Sequence, residues 1–549
     1  MIPFTLGIIC FLLSPQEAGG GEDKPDVTPV KSATEFAGLQ FTDKELAELL
    51  PWAQENIKGF QALRNVPIEN SLAPATLFSP HRPVSPVRTI SNFSLDDLPS
   101  VQRPQDLKDL YWAEIPTLSS LIKTGQVSCV ELTQLFLTRL REIDQQLHCV
   151  VSFTEKRALA RAALLDADIA QGKDRGPLHG IPYGVKDLCS VKGTKTTWGA
   201  MPFKDQVLDQ DATVVKRLDE AGAILIAKLT LGALAMGDIW YGGKTLSPWN
   251  TDFGSSGSSA GSAAAVGAGA IPFAIGSETL GSIVSPSTRC GNSSLRPTFG
   301  RVSKHGAMAL SWSMDKLGPI CRSLKDTAFV FSSIHGSDPK DLSAVDEHFD
   351  IPADVSVDGW KVGYSAKLFE KYPDHATVLT ELKSIGVELV DTDLPDYPLW
   401  PLMIILFAES AAAFDDFTRN NLDDELVEQG SQAWPNTFRV ARLIPAVDYI
   451  RAQRIRSLLM RDMNSIFGGL DAYVAPADDF TSLGITNLTG HPALVAPCGF
   501  EQNNMPRSIT LTGHIYGESQ LIALGRAWQE QSKYHLQRPP LKPVTDTGK

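Results

Sequence analysis

The sequence predicts an α/β protein: a single large domain with a central mixed β-sheet covered by helices on both faces, plus a helical N-terminal extension. Two recurring patterns and the composition point there. Residues 212–220 read as a helix stopped near Gly222, and residues 223–227, Ala-Ile-Leu-Ile-Ala, follow as a buried strand. The same helix–glycine–strand order returns at 378–385, Gly386 and 387–390. Hydrophobic residues make up 43% of the chain and charged residues 21%, the balance of a globular protein with ample core rather than a disordered one.

Taken in order, residues 2–13 form an apolar segment followed by small and polar residues. That length fits a secretory signal and falls short of the ~20 residues that span a bilayer. It predicts a signal peptide over 1–20 and an exported protein, periplasmic or secreted, although no Lys or Arg precedes the apolar run. Residues 21–34, rich in Gly, Pro and charge, read as a linker. The extension covers 35–109: a helix over about 43–62, with Leu46, Leu49, Leu50 and Trp52 as its apolar stripe, and then a turn-rich, wrapping stretch over 67–104. From about residue 110 helices and strands alternate. Ser128 and Glu131 form a capping box ahead of Leu132, Leu135, Phe136, Leu140, Ile143 and Leu147 at helical spacing. The small and apolar run 260–275, interrupted by Pro272, reads as a buried helix plus a turn. The main domain, over 110–535, and a Pro-rich tail over 536–549 complete the chain. At ~150 residues per domain, 549 residues suggest three or four domains; a family resemblance carried by the motifs around Lys186 and Ser282 implies that the two meet in one site, which requires one large domain instead.

Several classes of function drop out. With 50 Lys and Arg against 63 Asp and Glu, the net charge is −13, and no run of like charge suits a nucleic-acid or anionic-membrane partner. Seven cysteines are too sparse for a disulfide scaffold and include no Cys-x-x-Cys pair. No His/Cys cluster has metal-ligand spacing, so neither metal nor cofactor is expected. The sequons at Asn92, Asn292 and Asn487 are of the number that chance supplies.

Chemistry concentrates in the centre. Residues 254–262 read Gly-Ser-Ser-Gly-Ser-Ser-Ala-Gly-Ser and run straight into an alanine-rich helix. A linker would not do this. Small residues there let backbones approach closely and present N–H groups suited to an anion or oxyanion. Gly257-Ser258-Ser259-Ala260-Gly261 also matches the nucleophile elbow of α/β-hydrolases, with Ser259 as nucleophile, but residues 245–253 ahead of it do not read as the strand that motif requires. Two Ser-x-x-Lys matches, Ser120/Lys123 and Ser337/Lys340, lack their companion motifs. Lys186 lies in an apolar, strand-like setting, where burial would lower its pKa from ~10.4 toward neutrality and make it a general base.

Together these segments resemble the amidase signature family. The resemblance rests on 178–187, Leu-His-Gly-Ile-Pro-Tyr-Gly-Val-Lys-Asp; on 257–265; on 276–283, Gly-Ser-Glu-Thr-Leu-Gly-Ser-Ile; and on 295–303, 314–319 and 487–499. It implies Lys186 as catalytic base, Ser258 as a bridging serine in a cis peptide, and Ser282 as the acylated nucleophile. The backbone N–H groups of Thr279, Leu280, Gly281 and Ser282 would form the oxyanion hole. The implied activity is hydrolysis of the C–N bond of a small, linear carboxylic amide through a Ser-Ser-Lys relay and a serine acyl-enzyme. No cofactor, metal, nucleic acid or stable membrane span is implied, and a homodimer stays open. The alternatives are the glutamine-hydrolysing component of a transfer-RNA amidotransferase, an α/β-hydrolase-type esterase using Ser259 with His491 or His514, and a catalytically silent binding homologue. Departures from the family pattern are Leu280 for a glycine, Val284 for an arginine, Ser294 for a glycine and Arg296 for a lysine. Leucine does not reach positive φ cheaply, so the loop either needs none at 280 or is altered.

Overall fold

The computed structural model describes residues 25–66, 98–351 and 356–541. The expected signal segment, most of the wrapping stretch and the end of the tail lie outside these residues. Two compact units are formed. The first gathers the described residues up to 66 with 309–313 and 395–463; the second holds the rest.

The second unit is built on a mixed sheet flanked by helices, as expected. Its strands are β1 (Val150–Phe153), β2 (Pro182–Lys186), β3 (Ile224–Leu229), and, after the short hairpin β4 (Ile239–Trp240) and β5 (Gly243–Lys244), β6 (Phe273–Glu278), β7 (Ser293–Arg296) and β8 (Lys316–Cys321). They continue with β9 (Lys361–Tyr364), β10 (Glu388–Asp391), β11 (Ala472–Pro476), β12 (Ala493–Phe500) and β13 (Pro506–Gly513). Outside the hairpin the spatial order is β1-β3-β2-β6-β8-β7-β12-β13-β11-β9-β10. The β3-β2-β6 run is parallel, as is β11-β9-β10, and antiparallel pairs join them. Parallel strands covered on both faces need continuous apolar runs, and every residue of β2, β3 and β6 is buried.

Local expectations mostly hold. The helix Thr213–Glu220 ends ahead of Gly222 at φ 83°, and β3 follows. Thr377–Ser384, Gly386 and β10 repeat the unit. Ser128 caps the helix Cys129–Leu147 through the Glu131 N–H, but the return half of the capping box is missing because the Glu131 carboxylate pairs with Arg103. The run 260–275 differs more. Ala260–Gly267 is helical, and the chain then turns and enters β6 at Phe273. An unbroken series of small and apolar residues carries neither period, so the strand was invisible.

The first unit is helical. Asp43–Arg64 opens with a full capping box, Thr42 to Glu45, which periodicity alone does not reveal. Leu46 and Leu49 are fully buried and pack with Val30 and Val440. Arg439 holds Glu45 and Asp423 at 2.6 Å each and Asp424 at 3.2 Å, which accounts for that acidic cluster. A cavity of about 280 Å³ lies between Trp52, Trp400, Ile404, Phe407 and Val440, and none of its lining residues belongs to the expected catalytic set. No helix among the described residues is long and apolar enough to cross a membrane.

Candidate active site

Strand adjacency brings the central motifs together. β2 and β6 run parallel with Val185 opposite Ile275, so Lys186 ends β2 level with the last residues of β6. Sites at the carboxyl ends of parallel strands are the rule in such sheets. The Gly/Ser segment arrives at the same point because glycine leaves it no side chains to clear. A Cβ on Gly261 would sit 2.2 Å from Cys149 O, and one on Gly257 1.8 Å from Gly237 O.

Lys186 is fully buried. Its Nζ lies 2.7 Å from Ser258 Oγ, 2.8 Å from Ser277 Oγ and 3.1 Å from Ser259 Oγ. Burial pushes the ammonium down from the usual lysine range to about 7, against the pull of Asp315 and Glu278. Near neutral pH a large fraction of the amine is therefore unprotonated and able to take a proton. The Gly257–Ser258 peptide is cis.

The loop after β6 carries the remaining expected residues. Gly281 supplies its positive φ, 82°, while Leu280 stays out of the left-handed region, so leucine is tolerated where glycine is usual. Ser282 is held against the residue that follows Ser258: its carbonyl accepts from Ser259 N–H at 3.2 Å. Among the described residues, neither Ser282 Oγ nor the backbone N–H groups of Thr279, Leu280, Gly281 and Ser282 are engaged in a hydrogen bond. Four successive donors held at a tight turn suit developing negative charge. The N-terminus of the helix Ala260–Gly267 does not serve as the anion site, because Ser259 N–H and Gly261 N–H go to Ser282 O and Thr230 O.

A clamp that sequence reasoning missed fixes this loop. The buried Glu278 carboxylate accepts from the N–H groups of Ile283 and Val284 at 2.8 and 2.9 Å, so residues 279–282 are pinned from both ends. Its other oxygen accepts from Arg296 Nη1 at 2.9 Å and Asn487 Nδ2 at 2.8 Å. Burial alone would raise its pKa; the charges of Arg296 and Lys316 outweigh that and hold the carboxyl at about 2. The departures at Val284 and Arg296 thereby acquire a reading: Val284 is buried and offers the clamp only its N–H, and the guanidinium comes from Arg296. Thr279 Oγ1 donates to Asp315 at 2.6 Å, a further tether. On the opposite side of β2, Asp187 pairs with the buried Lys228 at 2.5 Å and accepts from Thr197 N–H at 2.8 Å. Ser294 is buried with its hydroxyl unpartnered among the described residues, and nothing in the structure explains it.

The decoys resolve by geometry. Ser259 Oγ donates to Ser277 O at 3.1 Å and accepts from Ser277 N–H at 3.1 Å, a structural clasp between two segments. His491 is buried, with Nδ1 against Thr489 Oγ1 at 2.7 Å and its ring stacked on Phe467; burial and the Arg296 charge push its pKa down to about 3. His514 Nε2 bonds Leu470 O at 2.8 Å. Neither histidine contacts Ser259. Ser120 Oγ donates to Pro99 O. Asn292 and Asn487 of the sequons are buried and bonded to Ala263 O and Glu278; Asn92 lies outside the described residues.

A lysine amine set against serine hydroxyls, on an α/β sheet and beside uncommitted backbone donors, is an arrangement in which lysine could stand where other serine hydrolases use histidine. Comparison with known proteins agrees on the class. A family profile described as Amidase matches residues 131–479. The A-subunit of the glutamyl-tRNA(Gln) amidotransferase of Acinetobacter baumannii (strain AB0057) is 31% identical over 485 residues, covering 79% of this chain and 98% of that protein. Among solved structures, the peptide amidase of Stenotrophomonas maltophilia superposes with a TM-score of 0.70 at 28% identity, covering 79% of this chain and 99% of that one. An amidase family protein from Bacillus anthracis str. Ames gives 0.70 at 27%, covering 79% and 93%. The chain belongs to the amidase signature family, enzymes that hydrolyse the C–N bond of amides.

Proposed function

We propose that the protein hydrolyses a small, linear carboxylic amide through an acyl-enzyme on Ser282, with Ser258 and Lys186 as the proton relay. The observation that carries this reading is the buried Lys186 amine 2.7 Å from Ser258 Oγ, beside a loop whose four N–H groups are uncommitted. A serine hydroxyl needs a base to become nucleophilic. Neutral Lys186 takes the proton of Ser258 as Ser258 takes that of Ser282, and Ser282 Oγ bonds to the amide carbon. The oxyanion is met by the N–H groups of 279–282, each worth ~3 kcal/mol in comparable sites. The proton then returns from Lys186 through Ser258 to the leaving nitrogen as the C–N bond breaks. Water releases the acid by the reverse path. The relay requires a Ser258–Ser282 hydrogen bond, which the structure does not make; catalytic hydrogen bonds commonly form or tighten only with substrate bound.

Leu280 is the apolar side chain of this loop that is not fully buried, which supports an acyl group without a carboxylate. Residues 1–20 support export, and the absence of a basic patch supports a small substrate rather than a polyanion. A second reading is favoured by one finding: the chain covers 98% of the A-subunit of a glutamyl-tRNA(Gln) amidotransferase. Under it, glutamine would be the amide cut, in company with other proteins. Turnover of an amide panel by the isolated chain separates the two. Neutral acyl amides hydrolysed well ahead of glutamine support the first reading; glutamine alone, or no turnover without partners, supports the second.

A further inference from the structure

Four oxygens surround Lys186 Nζ: Ser258 Oγ at 2.7 Å, Ser277 Oγ at 2.8 Å, Ser259 Oγ at 3.1 Å and Ser277 O at 3.4 Å. Their protons are not interchangeable. A carbonyl only accepts. A hydroxyl has one proton and two lone pairs, and Ser259 Oγ has its proton on Ser277 O and one lone pair on Ser277 N–H. Toward Lys186 it can only accept. Ser258 Oγ and Ser277 Oγ have no other hydrogen-bond partner among the described residues, so each can either donate to the amine or accept from it.

A neutral amine has two N–H groups and one lone pair. One N–H is taken by Ser259. Ser277 O, the farthest of the four at 3.4 Å, already accepts from Ser259 Oγ and is the weakest competitor. The second N–H and the lone pair are left for the hydroxyls of Ser258 and Ser277, which compete for the lone pair. We propose that Ser277 is a positioning residue: it accepts the second N–H of neutral Lys186 and so turns the lone pair onto Ser258, setting the direction of proton flow. This rests on the Lys186–Ser258–Ser282 relay proposed above. In the opposite arrangement Ser277 donates, Ser258 accepts, and Ser258 has no base for its own proton. Once Lys186 has taken the proton of Ser258, its three N–H groups face Ser258, Ser259 and Ser277. The bond to Ser277 thus persists through the cycle and becomes charge-assisted in the ammonium state, where it is strongest.

The sign of the consequence follows. Removing an acceptor that favours the ammonium lowers the pKa of Lys186 further. The test is the pH dependence of kcat/KM for Ser277→Ala and Ser277→Thr on an amide that wild type turns over, with Tm measured alongside. Ser277→Ala is expected to lower kcat about 10- to 100-fold with KM within about twofold, and to move the acid limb down by about one pH unit; Ser277→Thr restores both. A loss of kcat with an unmoved limb would reduce Ser277 to a structural role, and an upward shift would contradict the direction assigned to its bond. Inactivity as complete as that of Ser258→Ala would make Ser277 itself the shuttle. Failure of the underlying relay reads differently: an active-site phosphonate would then leave wild-type Ser282 unlabelled.

Discussion

In the proposed relay Lys186 acts as a base because of where it is buried rather than what surrounds it in sequence. Desolvation brings its pKa to about 7, so the reactive neutral form gains as pH rises. We expect kcat/KM to climb through about pH 7 and level off above it, and an acidic optimum in a protein that stays folded would contradict that. Ser282→Ala and Lys186→Ala should each lower kcat by at least ~10⁴-fold, whereas His491→Ala and His514→Ala retain most of it. Much of this was legible: Lys186, Ser258 and Ser282 sit in motifs that can be read as text. Ser277 was not singled out, although it lies inside a quoted motif, because its importance depends on β2 lying beside β6. Ser259 illustrates the reverse. Its motif suggested a nucleophile, and its hydrogen bonds show a clasp.

Among elements, the Glu278 clamp joins the 279–282 loop to β7 through Arg296 and to the helix Phe480–Thr489 through Asn487. Glu278→Gln keeps the volume but removes the charge and one acceptor, and should lower kcat ~100-fold with little change in KM. Arg296→Met leaves a buried carboxylate without its main partner, which costs ~3–5 kcal/mol and is measurable by urea unfolding. The pH window follows from the depressed pKa of Glu278. Its stabilisation is fully present above the ordinary value near 4.5 and is lost as pH falls toward 2. In Arg296→Met the folded-state pKa of Glu278 rises toward that ordinary value, so this acid-dependent loss should shrink. No sequence pattern pairs residue 278 with 296 and 487, since the contacts depend on how the sheet is ordered. Helices with glycine stops, by contrast, were legible because capping and periodicity are local.

For the whole molecule, the net charge of −13 suits the small amide substrate proposed above better than a polyanion. Two physical features escaped the sequence. Residues 395–463 gather with the N-terminal helices through side chains such as Arg439 and Glu45, nearly four hundred positions apart. The strand β6 hid inside a run without periodicity. If Leu280 faces the acyl group, a panel of amides should show preference for uncharged acyl chains, and higher kcat/KM for anionic ones would contradict it. The central claim is that Ser282 is the acylated nucleophile and Lys186 its ultimate base. Its most direct test is intact-mass analysis after reaction with a fluorophosphonate, followed by peptide mapping. A single adduct on Ser282, absent from Ser282→Ala and strongly slowed in Lys186→Ala, is the expected result; an adduct on Ser259, or unchanged labelling in Ser282→Ala, would contradict it.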